Sequence, residues 1–569
     1  MPVRKLLRLL AFMGMCLGLP ALAGTWVTNT TAPSPVGFVI LLSNGDVLAQ
    51  KGPGFSNWFR LSPDGQGHYA NGQWTSNLGL NMSQNRQFFS SDVLPDGRVF
   101  VAGGEYGSLG SGNRSEIYDP VANQWSSNNV PANILNPSLT NSGNGLNGGF
   151  SDSPSIVLAD GTVLIAPIYP YGFGSQTVIY DPKANSWSSY SPNLAPKGDL
   201  NETSWVKLPD DSILTIDATT NINLGYNTTE RFIPSTQTWI QDANTPVAMY
   251  SYPGKEIGPG LLLPSGKVVY FGGTGKTLFY TPSSSTAPGI WSQGPSIPAG
   301  LVARDTPAAM MANGNVLCAF SPTTSDSPIY FYEFNPTAIT FTAITSPTGG
   351  ASYNSQVTDQ SAMLELPDGN ILWTMSGSQS VYIYQPAGSP SSTWKPAIFG
   401  FNYNPDGSLH IVGTQFNGLS QGAAFGDDNQ MDSNFPLVRF TDGGGNVYYG
   451  RTYNWSSTGV QTGSRVVSTD CEMPAIVFGG PGAYTMQVVA NGIASDPIGF
   501  PGPIWVDFNY AGSTMLGTYF FPFNTLTDGV SAVASGATIL LKPGHSLSPI
   551  TITKAMTINS FGGTAYIGR

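Results

Sequence analysis

Charge is what this chain lacks most. Only 10% of its 569 residues are Asp, Glu, Lys or Arg, against about 25% in ordinary soluble proteins. Acidic residues number 34 and basic ones 23, for a formal net charge of −11. No stripe of lysines and arginines exists to neutralise a phosphate backbone, so nucleic acid is not a partner, and an anionic membrane surface is disfavoured. Histidine and cysteine occur three times each, at spacings that make neither a zinc site nor a disulfide framework. No long stretch has helical periodicity, and no run beyond the N-terminal leader reaches the roughly 18 apolar residues of a transmembrane helix. What remains is rich in turns: 68 glycines and 45 prolines predict an all-β protein, and the length suits one large repeat domain with smaller ones attached.

The first 23 residues carry Arg4, Lys5 and Arg8, then an apolar core, then Ala21-Leu22-Ala23. Positive flank, short apolar run and small-residue cleavage pattern read as a removed signal peptide, Met1 to Ala23, and place the mature protein in a secreted, periplasmic or extracellular setting. Met15 stands before Cys16, where a lipoprotein signal wants a small residue. Cys16 leaves with the leader, and Cys318 and Cys471 read as buried free thiols.

The stretch from Asp92 to Trp125 is the unit on which most of the chain is built. An apolar run enters a turn at Asp96-Gly97, leaves as Val99 to Ala102, stops at Gly103-Gly104 and gives a third run ending Tyr118-Asp119-Pro120, before Trp125. Asp-Gly supplies the positive φ of a hairpin turn, and Pro120 ends the third strand. The turn recurs at Gly45, Gly97, Gly161, Asp211, Gly266, Gly314 and Gly369, and the closing aromatics are Trp74, Trp125, Trp187, Trp239, Trp291, Phe341 and Trp394. Seven such units predict a seven-bladed β-propeller over residues 24–400, and the pattern resembles kelch repeats. Tryptophans in a fixed repeat position are blade core rather than sugar platforms. Two insertions break the pattern, Asn128 to Phe150 and the aromatic loop Tyr169 to Gly174. Tyr169, Tyr171 and Phe173 are candidate ligand-binding residues for a sugar face or a protein partner, with folding back onto the blade as the alternative.

From about residue 401 to 506 the pattern becomes short alternating strands, which predicts a β-sandwich. The phrases QFNGLSQGA, FGDD, NFPLVR and VYYGRT, with LPDGRVFVAGG in the second blade, resemble the galactose oxidase and glyoxal oxidase family, whose propeller is followed by an early-set, immunoglobulin-like domain. Residues 507–569 alternate β-branched residues with glycines and look like one coil of a parallel β-helix. One coil leaves Ile539, Leu541, Ile550, Ile552 and Ile558 without a stacking partner, so the tail is expected to dock on the rest of the molecule, to pair with another chain, or to be the remnant of a longer protein.

The resemblance implies a mononuclear copper site with a cysteine-linked tyrosyl radical. At the matching positions this chain has Asp359-Gln360-Ser361 where the family has Tyr-His-Ser, Tyr453 where a histidine follows Thr, and Ser34-Pro35-Val36-Gly37 where the cysteine belongs. His68, His410 and His545 come from unrelated elements, and no Gly-x-Ser-x-Gly elbow, His-Glu-x-x-His or phosphate loop replaces them. Copper is therefore not expected, nor any organic cofactor. The sequence reads as a non-catalytic binding protein for carbohydrate or a cell-surface protein; a diverged oxidase using Tyr353 and Tyr453 is the alternative.

One constellation remains. Five of the seven units carry an acid nine or ten residues before the turn: Asp152, Glu202, Glu256, Asp305 and Asp359. If the run from acid to turn is the innermost strand of each blade, these carboxylates gather at one mouth of the central channel, while Asp92 in blade two falls out of the ring. Carboxylates about 8 Å apart repel by about 2 kcal/mol at an effective dielectric near 20. Such a ring either accepts backbone hydrogen bonds from neighbouring blades or holds Ca²⁺ or a cationic or polyhydroxylated ligand.

Overall fold

The computed structural model describes residues 23–568 except 53, 76–80, 105–112, 132–133, 135–148, 151–153, 168–176, 189–199, 201, 218–226, 252–255, 355 and 425–429. Its core is a ring of seven antiparallel sheets. Six blades are consecutive runs of the chain, with first strands Val36–Leu41, Ser90–Val93, Ser155–Val157, Trp205–Lys207, Gly260–Leu262 and Ala308–Met310. The first strand of the seventh is Ser361–Glu365. These first strands are buried along their length, because each faces the channel on one edge and the next blade on its face.

The repeat chemistry acts as its residues dictate. All seven turn positions have positive φ, from 67° at Asp211 to 88° at Gly161. Asp211 shows that an aspartate tolerates the left-handed region when the turn demands it. The aromatics of the third and fourth strands meet at ring-centroid distances of 5.2 Å for Tyr118 and Trp125, 5.1 Å for Tyr180 and Trp187, and 4.9 Å for Tyr280 and Trp291.

Blade seven departs from the repeat. Its outermost strand is not near Trp394 but is the N-terminal strand Thr25–Thr28, paired Thr25 to Gln385 through Thr28 to Tyr382. Trp26 takes the closing place, 4.9 Å from Tyr384, and its Nε1 donates to the Thr345 carbonyl at 2.9 Å. The expectation that Trp394 closes this blade is thereby corrected: it lies in the short 3-10 turn Ser392–Trp394 against Gly314. A strand from the other end of the chain fastens the ring, and Thr-Trp-Val-Thr carries no turn signal to announce it.

Residues 397–501 form a β-sandwich around Leu409, Ile411, Val438, Phe440, Met486, Val488 and Phe500. It covers the turn end of the propeller: Trp455 N donates to Pro95 O at 3.1 Å, Val447 N to Gly65 O at 2.8 Å, and Gln461 Nε2 to Leu263 O at 2.6 Å. From it a hairpin, Gly422–Ala424 and Gln430–Asp432, enters the channel and pairs with blade six, Ala308 opposite Ala424. Cys318 and Cys471 are buried and form no disulfide, and burial pushes both thiols up.

The tail is a parallel stack with three rungs, Ile504–Val506, Thr538–Leu541 and Thr557–Ser560. Ile539 and Leu541 are buried, Ile550 and Ile558 pack on the same cluster, and Ile552 is exposed. The stack docks on the sandwich: Phe478 lies 4.9 Å from Trp505 and 5.6 Å from Phe561, and Trp505 Nε1 donates to Phe478 O at 2.9 Å. Among the described residues no helix is long and apolar enough to cross a membrane.

Candidate functional site

Each innermost strand begins at the mouth away from the sandwich and ends at its Asp-Gly turn beneath it. The described acids that precede these strands therefore lie at the mouth away from the sandwich. Glu202 and Asp305 stand three residues ahead of Trp205–Lys207 and Ala308–Met310, and Glu256 four ahead of Gly260–Leu262. These half-buried carboxylates come from the adjacent blades four, five and six, and one oxygen of each lies within 4.8 Å of the others. Glu202 and Asp305 hold φ of 57° and 40°, a left-handed backbone that costs a non-glycine residue on the order of 1–2 kcal/mol.

Three anions at this spacing repel by about 3 kcal/mol per pair at an effective dielectric near 20. The geometry suits a hard cation. Two oxygens on one Ca²⁺ at about 2.4 Å each can be at most about 4.8 Å apart, and such an ion takes six to eight oxygens, leaving places for water or ligand hydroxyls. Arg304, next to Asp305 in sequence, is engaged elsewhere, 2.9 Å from Asp326 and 3.2 Å from the Pro322 carbonyl.

The ring foreseen from the sequence is thus partly assembled. Asp359 does not join the cluster: it sits in the 3-10 turn Thr358–Gln360, and its carboxylate accepts from Gln360 Nε2 at 3.2 Å. Burial pushes that carboxyl up. Asp152 and the loop residues Tyr169, Tyr171 and Phe173 lie outside the described residues. Asp92 falls out of the ring as expected; it is buried in the channel wall, where its carboxylate accepts from Ser155 Oγ at 2.6 Å.

The histidines and family-matched tyrosines lie in separate places. His68 is exposed in blade one, His410 pairs with Asp470 at 2.8 Å in the sandwich, and His545 stacks on Tyr566 in the tail at 4.5 Å. Tyr353 packs 5.0 Å from Trp373 of blade seven, whereas Tyr453 lies under Arg451 in the sandwich.

Two features escaped sequence reasoning. One is the charge group around the channel hairpin: Lys207 Nζ donates to Thr458 O at 2.7 Å, and Asp92 and Asp432 are the charges that act most strongly on it. Its members are more than a hundred residues apart, so no local pattern marks it. The other is a groove of about 660 Å³ between blades five and six, lined by Lys267, Gln293, Asn315, Asn335, Ile339 and Trp394. Trp394 lines it because Trp26 has taken its place in the blade.

No family model matches this sequence, and no curated protein is significantly similar to it. Among solved structures, a fungal alcohol oxidase of the AA5 family in complex with copper is similar over 84% of this chain and 99% of its own, with 13% identity and a TM-score of 0.44. A structural-genomics target provisionally described as a gluconolactonase is similar over 54% of this chain and 94% of its own, with 14% identity and a TM-score of 0.30. Neither likeness gives any residue of this chain a role.

Proposed function

We propose that this protein is an exported, non-catalytic binding protein built on a galactose-oxidase-like propeller with an early-set, immunoglobulin-like sandwich. Its functional face is the channel mouth away from the sandwich, and its ligand is carbohydrate or a cell-surface protein, bound with Ca²⁺. The observation that carries this reading is the convergence of Glu202, Glu256 and Asp305 within 4.8 Å. A polyhydroxylated ligand supplies hydroxyl oxygens for the coordination places that three carboxylates leave open. The groove lined by Trp394 and Asn335 lies at the sandwich end, beside the turns at Leu263 and Gly314, and forms no part of this face.

Calcium is the direct test. A site saturated at a hundred times its dissociation constant adds about 2.7 kcal/mol of stability. Melting of the EDTA-treated protein is therefore expected to rise by a few degrees with millimolar CaCl₂. In Glu202→Gln/Glu256→Gln/Asp305→Asn the rise is expected to vanish. Identical wild-type melting in calcium and EDTA would overturn the cation site. Copper gives the complementary result: the copper-incubated protein is expected to release no peroxide above a no-enzyme control with simple sugars or small aldehydes. Turnover there would replace the binding reading with the oxidase one.

A further inference from the structure

Glu333 is an enclosed carboxylate without a cation. It lies on the third strand of blade six, Tyr330–Asn335, and is 8% exposed. Among the described residues no lysine, arginine or histidine forms an ion pair with it. Its donors are neutral: Tyr384 Oη at 2.5 Å and the backbone N of Gly24 at 3.1 Å to Oε1, and Asn315 Nδ2 at 3.3 Å to Oε2. A charge this buried ordinarily has an opposite charge beside it. The sequence places its proteolytic cleavage between Ala23 and Gly24, directly at one of these donors.

We propose that the Ala23–Gly24 bond is a processing site whose product is the missing counter-ion: the freed α-ammonium of Gly24 docks on Glu333 and fastens blade seven in the processed chain. The chemistry balances as peptide hydrolysis by a signal peptidase. Water adds across the amide, its oxygen ending in the Ala23 carboxylate and the amide nitrogen becoming the Gly24 ammonium. Before cleavage that nitrogen offers Glu333 one neutral N–H; afterwards it offers three and a full positive charge.

Two further observations converge on the same residue. Gly24 immediately precedes the N-terminal strand that completes blade seven, which starts with Thr25 opposite Gln385. A Cβ at position 24 would lie 2.3 Å from Gln385 O and 2.9 Å from Pro386 Cα, both backbone atoms, so only glycine enters this slot. The pair joins blade six, through Glu333 and Asn315, to blade seven, through Tyr384, and to the strand that fastens the ring. Processing and ring closure are thereby linked at one carboxylate.

The inference rests on the export part of the proposed function and is independent of the channel mouth. Two full-length forms test it: protein secreted with its own leader, and protein released from a cleavable tag so that residues 21–23 remain attached. N-terminal sequencing of the secreted form is expected to begin at Gly24, and it is expected to melt about 3 °C or more above the extended form. In Glu333→Gln that difference is expected to vanish. An adjacent carboxylate also holds the amine protonated, so acylation of the Gly24 amine near neutral pH is expected to be at least about tenfold slower in the wild type than in Glu333→Gln. A different N-terminal residue overturns the proposal. So does equal melting of the two wild-type forms, which needs no variant to fold, or equal acylation rates. The calcium response in the same samples judges the mouth separately, so the two readings fail apart.

Discussion

Asp242→Ala is expected to lower the stability of the propeller by about 3–5 kcal/mol, the cost of breaking a buried ion pair by removing one partner. Arg231 and Asp242 have no exposed side-chain surface, and the guanidinium Nε donates to Asp242 Oδ2 at 2.5 Å. Arg231 also reaches from blade four into blade five, where its Nη2 donates to the carbonyls of Ser285 and Ala287 at 2.9 and 2.7 Å. Asp242 accepts in addition from Tyr280 Oη and Gly289 N, both at 2.9 Å. Removing the carboxylate leaves the buried guanidinium only the longer ionic contact to Asp210, at 3.5 Å, and deprives Tyr280 Oη, Gly289 N and Ala243 N of their acceptor. Replacing both partners by apolar residues of similar volume, Arg231→Met with Asp242→Leu, is expected to restore much of the loss, because neither buried charge then remains and Asp210 keeps contact with solvent. Urea unfolding measures both. A loss below about 1 kcal/mol for Asp242→Ala would show that the pair is not what joins these blades.

Stability is also expected to fall as pH rises through the neutral range. Burial pushes Glu365, on the innermost strand of blade seven, up to about 8, against the hydrogen bonds its Oε2 accepts from Ser433 Oγ at 2.7 Å and Asn491 Nδ2 at 3.1 Å. Burial, and then the charge of Asp432, push Asp92 up to about 8 as well, opposed by Ser155 and by Lys207. Unfolded carboxyls titrate near 4. Between that value and about 8 the folded chain binds protons that the unfolded chain has released, so stability is greatest at the acid end of the window. It is lost progressively as pH climbs from about 4 to 8, by up to about 1.4 kcal/mol per pH unit for each such group, and the loss is complete above 8. Asp92 shares its surroundings with Lys207 and Asp432, so Glu365, which has no charged neighbour among the causes of its shift, is the cleaner probe. Glu365→Gln keeps an acceptor for Ser433 and Asn491 and has nothing to ionise. Its melting temperature relative to wild type is expected to rise from pH 5 to about pH 8, to level off above that, and to exceed wild type at the alkaline end. Parallel profiles for the two proteins would refute this.

The propeller was legible because its signals are local. An Asp-Gly turn, the strand after it and an aromatic near a proline lie within some 30 residues of one another in each unit, as in Asp96 to Trp125. Strand order within a blade follows from short connections, so placing the acids at the start of the innermost strands needed only that order. The sandwich and the parallel β character of the tail were legible for the same reason, from alternation and spacing along the chain, but the expected single coil is corrected to three rungs, which begin at Ile504 and pair Ile539 with Ile558.

Side chains whose role depends on distant chain were not legible. Trp394 has the spacing of a blade-closing aromatic, yet Trp26, some 370 residues away, holds that place. Nothing in Thr25–Thr28 encodes a partner at Tyr382–Gln385. Five acids occupy equivalent places in the repeat, but backbone geometry brings Glu202, Glu256 and Asp305 together and turns Asp359 aside into a 3-10 turn. Glu333 reads in sequence as an ordinary strand residue, and its solvent exclusion comes from Tyr384 and the N-terminal strand closing over it. The sequence by itself determined the repeat, the turns and the all-β class, since backbone sterics and apolar periodicity act between near neighbours. Only the tertiary structure decided which carboxylates are buried, which converge and which strand closes the ring, because desolvation and charge repulsion depend on what the rest of the chain places within a few ångströms.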